Sequence, residues 1–166
     1  LDSLADVVTS GVVPGYVMFQ LMQISFAAQD ALFFSSNSLI FSFFGFLITL
    51  ASAYRLAKFN IDENQTDKFI GLPTPANTIL ILSLPFILEF EDIIWLNDLI
   101  LSPYFLIILT ILSAYLLNMK LELFSLKLKS LKLKDNVLIY FFLALCITLI
   151  ILLKFIAVPL VILSYI

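Results

Sequence analysis

An all-α fold, a polytopic transmembrane bundle of about five to six spans in a single domain over residues 1–166, is predicted by three observations. Of the 166 residues, 62% are hydrophobic and 13% charged, against about 45–50% and about 25% in an ordinary soluble domain. Charge-free apolar runs near the roughly 20 residues of a spanning helix recur along the chain. The few charges collect in the short stretches between those runs. Such a composition excludes a soluble globule, a disordered chain and a disulfide scaffold, for which the single Cys146 has no partner. Cys146 reads as an apolar filler. Lys and Arg number 9 against 12 Asp and Glu, so no basic excess points to nucleic acid. No 20–50-residue repeat is present.

The first run extends from about Val7 to Ala28, with Pro14 and Gly15 predicting a kinked or broken start. The second, from Leu39 to about Ala57, closes on Arg55, with Lys58 just beyond. A third, from Ala76 to Leu88, is short and borrows from the preceding GLPTPANT to reach across. The fourth covers Leu99 to Met119. The last, Val137 to Ile166, contains Lys154 and Pro159. It is either one span with a trailing segment or two short tilted spans, and Lys154 either snorkels or marks the break.

Orientation follows from Lys and Arg in the short loops. Residues 58–68 hold Lys58 and Lys68 and adjoin Arg55; 89–98 hold Glu89, Glu91, Asp92 and Asp98 without a cation; 120–135 carry Lys120, Lys127, Lys129, Lys132 and Lys134. The two basic loops are expected to be cytoplasmic and the acidic one outside, which puts the N-terminal end on the cytoplasmic side. Lysines alternating with Leu126, Leu128, Leu131 and Leu133 suit either a solvated loop or an interfacial segment; both attract anionic headgroups.

At that N-terminal end Asp2 and Asp6 stand four residues apart, within about 40° of each other on one helical face. Two adjacent carboxylates repel. They are either interfacial acids in headgroup water or hard oxygen ligands for a divalent cation, Mg2+ or Mn2+. Arg55, the one Arg in the sequence, is either a snorkelling anchor or a planar fork for a phosphate or carboxylate. Between Gly71 and Asn77, Gly71, Pro73 and Pro75 shape the backbone while Thr74 and Asn77 offer neutral hydrogen bonds. This suits a stiff cap over a polar pocket and equally a plain re-entry turn.

The opening LDSLADVVTSGVVPG resembles the second half of the CDP-alcohol phosphatidyltransferase signature, D-G-x2-A-R-x8-G-x3-D-x3-D, with Asp2 and Asp6 in the final D-x3-D. Two longer stretches make the match more specific. RLAKFNIDENQTDKFIGLPTPAN, from Arg55 to Asn77, and FSLKLKSLKLKDN, from Phe124 to Asn136, are similar to loops of the phosphatidylserine synthase branch. The first half of the signature would lie upstream of Leu1. The sequence is therefore expected to be the later part of a longer protein and inactive by itself.

The resemblance implies a membrane enzyme that transfers a phosphatidyl group from CDP-diacylglycerol to L-serine, giving phosphatidylserine and CMP. It implies Asp2 and Asp6 as metal ligands, Asp6 also as general base, Arg55 and Asn60 as substrate-binding residues, and a homodimer. A bacterial inner membrane with the site facing the cytoplasm is the implied location. Without His, a base must be a carboxylate, Lys, Tyr or Cys. Glycerol phosphate or inositol phosphate acceptors would share the Asp motif but would favour several cations near the pocket. A small transporter could also place acids at a membrane boundary, but would carry polar residues through its span centres, and the 39–50 and 106–112 stretches have almost none beyond Ser and Thr.

Overall fold

A backbone crossing lipid must satisfy its own hydrogen bonds, and each Pro in an apolar run disturbs that locally. In the computed structural model, which describes residues 2–28, 38–61, 69–119, 122–123 and 137–165, the first run is continuous despite Pro14. It comprises α1 (Asp2–Val7), a π-helical turn (Val8–Val12) and α2 (Val13–Ala28). The expected break is thus replaced by a π turn just before Pro14, where the Val13 N–H bonds the Val8 carbonyl. Pro14 has no N–H for the Ser10 carbonyl four residues back. Thr78 Oγ1 donates to that carbonyl instead, at 3.3 Å.

The second run comprises α3 (Ser38–Ser42), a 3-10 turn (Phe43–Phe46) and α4 (Leu47–Ile61). It lies antiparallel to the first: Ser3 meets Asn60 at one end, and Gly45 meets Phe19 further along. Small residues set the approach. A Cβ on Gly11 would stand 3.3 Å from Ser52 Cβ, one on Gly15 would overlap Thr49 Oγ1, and one on Gly45 would stand 2.5 Å from the Phe19 nitrogen. Gly11 and Gly15, four residues apart, lie along one face, the small-x3-small spacing that lets membrane helices touch by their backbones.

The third run starts earlier than its apolar residues do. α5 (Thr74–Phe90) follows Pro73 at the N-cap and takes Pro75 into its first turn, where a missing N–H leaves no intrahelical bond unmade. Gly71 before it has φ +72°, and a Cβ there would stand 2.8 Å from the Leu117 carbonyl oxygen, so both conformation and space select glycine. The Leu72 N–H bonds the Leu116 carbonyl at 3.0 Å. Beside it, β1 (Phe69–Ile70) pairs antiparallel with β2 (Glu122–Leu123). The pairing ties residues 69–70 to residues 122–123, which in sequence adjoin the two lysine-bearing stretches, and marks the basic-loop end of the bundle.

The fourth run departs from the expected single span. α6 (Ile94–Ile100) and α7 (Pro103–Asn118) meet at 61°. Pro103 disfavours helical backbone in the residue before it, and Ser102 is extended at φ −71°, ψ 125°.

In the last block, the 27 residues from Ile139 to Tyr165, apolar but for a few such as Lys154, are long enough for one span, yet they fold back on themselves. α8 (Val137–Leu153) passes through a 3-10 turn (Lys154–Ile156) into α9 (Ala157–Tyr165). Lys154 is left-handed, φ 46°, and the Phe142 and Tyr165 rings lie 5.9 Å apart; one straight helix would separate those positions by about 34 Å. The block is two short antiparallel helices, and Lys154 marks the turn. Phe155 stacks on Phe86 and Phe90 at 5.6 and 5.2 Å, while Ile162 joins Leu72 and Leu80 nearer the basic-loop end. α9 thus packs along α5.

The main core draws Met18, Leu21, Met22 and Phe26 from α2, Ile48 from α4, Ile81, Leu84 and Ile87 from α5, Ile100 from α6 and Leu106 from α7. The chain is an all-α membrane bundle among its described residues, apart from the two-residue strand pair; three of its helical stretches are long and apolar enough to cross a membrane, four if α6 and α7 form one bent span, in place of the expected five to six. The lysine-rich segment 124–136 lies outside the described residues.

Candidate functional site

Three separate stretches converge at the basic-loop end. The antiparallel pairing sets the start of α1 against the end of α4. α1 carries Asp2 and, one turn later, the exposed Asp6. Between these positions Ser3 Oγ donates to Asn60 Oδ1 at 3.2 Å, which ties Asn60 to the acidic turn. Arg55, half-buried and a turn and a half before the end of α4, donates from Nη2 to the Gly71 carbonyl at 3.5 Å. That contact joins α4 to the Gly71–Asn77 approach of α5. The four residues singled out in the sequence, Asp2, Asp6, Arg55 and Asn60, therefore lie on two helices that pack against each other at one end of the molecule.

Beneath this surface the polar residues are small and buried. Thr49 Oγ1 donates to the Gly11 carbonyl at 2.9 Å, and Thr78 Oγ1 shares its hydrogen between the Ser10 and Thr74 carbonyls. Asn118 Nδ2 donates to the Ala51 and Ala114 carbonyls, both at 3.2 Å. Thus the π turn, α4, α5 and α7 are stitched by side-chain to backbone bonds. π turns inside α-helices often accompany function, and this one begins two residues after Asp6. Its sequence signal is Pro14, placed so as to free the Ser10 carbonyl. The buried polar set of Ser10, Ser52, Thr78 and Asn77 was not legible as a cluster, because its members come from three distant stretches.

For a divalent cation the donor set is chemically suitable but small. Asp6 and, by its place in the sequence, Asp2 are carboxylates, the hard oxygen donors magnesium and manganese prefer. Among the described residues no group of three or more His, Cys, Asp or Glu gathers to enclose an ion.

Glu89, in the last turn of α5, and Glu91 and Asp92, just after it, lie at the opposite end and take no part in this arrangement.

No family model matches the chain, and no solved structure matches it. Curated relatives do. Over 83 residues, 49% of the chain, it is 37% identical to a protein of Helicobacter pylori strain J99 named CDP-diacylglycerol--serine O-phosphatidyltransferase, and 36% identical to the protein of that name from strain 26695. A protein of the same name from Methanocaldococcus jannaschii is 34% identical over 82 residues. The match spans 30% of the length of each Helicobacter relative and 33% of the archaeal one. Over half its length, then, the chain is similar to curated CDP-diacylglycerol–serine phosphatidyltransferases, the branch that its Arg55–Asn77 stretch resembles.

Proposed function

We propose that the protein of which this chain forms at least part transfers a phosphatidyl group from CDP-diacylglycerol to L-serine. The observation that carries this reading is the convergence of the Asp2–Asp6 turn, Asn60 and the Arg55–Gly71 contact on the basic-loop end. The relatives' names supply the substrates.

In this reading the serine hydroxyl attacks the phosphorus that bears diacylglycerol. A new phosphorus–oxygen bond forms, the bond to CMP breaks, and the hydroxyl proton passes to the Asp6 carboxylate. A hydroxyl is a weak nucleophile, and a positioned base contributes about 10²–10⁴-fold. Asp2 and Asp6 would hold a magnesium or manganese ion, whose charge offsets that of the diphosphate. Arg55 presents a planar fork to a phosphate or the serine carboxylate, and Asn60, tied to Ser3, borders the acidic turn. The site faces the cytoplasm of a bacterial inner membrane, and the enzyme is a homodimer.

The test is incorporation of labelled headgroup by the intact protein in vesicles containing CDP-diacylglycerol, with serine, glycerol phosphate or inositol phosphate as acceptor, each with magnesium, manganese or chelator. Serine transfer that chelator stops is the expected result. Transfer to glycerol phosphate without transfer to serine would overturn the acceptor, and undiminished activity in chelator would overturn the metal assignment.

A further inference from the structure

Asn77 stands out among the buried polar side chains. It is fully buried, 0% exposed, and neither Nδ2 nor Oδ1 has a hydrogen-bond partner. Buried amides are normally paired, because an unmet donor or acceptor keeps its whole desolvation penalty. Ser52 and Ser113 also have unpartnered buried hydroxyls, but a hydroxyl is a smaller group. Asn77 carries an unmet donor and an unmet acceptor together.

Its location supplies the second half of the argument. Asn77 lies in the first turn of the 17-residue α5, whose N-cap Pro73 makes no side-chain cap. The first N–H groups of a helix have no intrahelical partner and carry the positive end of its dipole. Helical side chains lean toward the N-terminus, so the Asn77 amide reaches back over that turn. The turn is held beside Arg55 through Gly71, and its Pro75 is exposed.

We propose that the first turn of α5, with Asn77 as its floor, binds the acceptor amino acid through its carboxylate and ammonium groups. This rests on the reading under Proposed function. The uncapped turn and Nδ2 donate to the carboxylate, and Oδ1 accepts from the ammonium. A phosphate of the lipid donor would satisfy Nδ2 but set Oδ1 against an anion, so the zwitterion uses both halves of the amide and the diphosphate does not. Asn77 is a specificity-determining residue whose polar atoms are satisfied when the acceptor is bound.

The test uses the intact protein in detergent with CDP-diacylglycerol micelles, comparing wild type with Asn77→Ala and with Asn77→Leu, which keeps the volume. Both variants should raise the serine KM roughly tenfold or more and leave the CDP-diacylglycerol KM within about twofold. Neither should melt below wild type, because each removes an unpaired amide. Serine, which raises the Tm of wild type, should not raise theirs. A normal serine KM together with a normal serine-dependent Tm shift overturns the inference, as does an equal rise in both KM values. A lower Tm with unchanged serine KM assigns Asn77 to structure and also overturns it. Wild type that transfers nothing to serine defeats the broader reading instead.

Discussion

Helices α4 and α8 are of similar length, 15 and 17 residues, and both are apolar, yet they are used differently. α4 buries Ile48, Ala51 and Ser52, approaches α1 and α2 across Gly11 and Gly15, and ends in Arg55 and Asn60. α8 buries Ile139 alone among its described side chains and leaves Phe141, Ile147, Ile151 and Leu152 exposed. α8 is the more apolar of the two and yet buries less, because lipid is as apolar as a protein core. What separates them is small and polar residues on one face, which permit backbone contact and side-chain hydrogen bonds between helices. The candidate site lies where helices are close enough for Thr49 and Thr78 to bridge them.

If the close-packed region carries chemistry and the exposed side of α8 only meets lipid, substitutions should divide sharply between them. Asp6→Asn in the intact protein should reduce serine transfer by about 10²–10⁴-fold while membrane insertion stays normal. Activity within twofold of wild type would remove Asp6 as the base. Next comes Gly45→Ala, whose added Cβ meets the Phe19 backbone at 2.5 Å. Forcing the helices apart should cost about 1–3 kcal/mol, seen as a lower Tm in detergent, and an unchanged Tm would show that the seam is looser than described.

Arg55→Lys keeps the charge and loses the fork. The serine or CDP-diacylglycerol KM should rise roughly tenfold; unchanged KM and kcat for both substrates would return Arg55 to a membrane anchor. Thr78→Val removes the hydroxyl that serves the Ser10 and Thr74 carbonyls, and a loss of about 1 kcal/mol in unfolding free energy is expected. At the other end of the scale, Leu152→Ala changes a residue 71% exposed in α8. Its effect on unfolding should stay within about 0.5 kcal/mol, and a larger loss would mean that α8 is packed against protein.

The last block shows how much a pattern can leave open. Lys154 and Pro159 permitted either a single span with a tail or two short spans, since periodicity is silent in a run apolar on every face. The left-handed Lys154 and the Phe142–Tyr165 contact show two antiparallel helices, of which α9, at nine residues, is too short to cross a bilayer by itself. Pro103 carried a local signal for the bend before α7, but the apolar run across it outweighed that signal.

Composition and charge by themselves determined the all-α membrane class, the order of its apolar runs and the sorting of loops into basic and acidic, because lipid admits few charges and the chain has few to distribute. The spacing of Asp2 and Asp6 likewise determined that they share a helical face. Tertiary structure alone decided that Asn60 pairs with Ser3, that Arg55 reaches Gly71, that Thr78 serves the carbonyl freed by Pro14, and that Asn77 is buried unpaired. Each of these joins residues from distant stretches, and such pairings depend on how closely two backbones approach, which the glycines at 11, 15 and 45 allow only once the helices are packed.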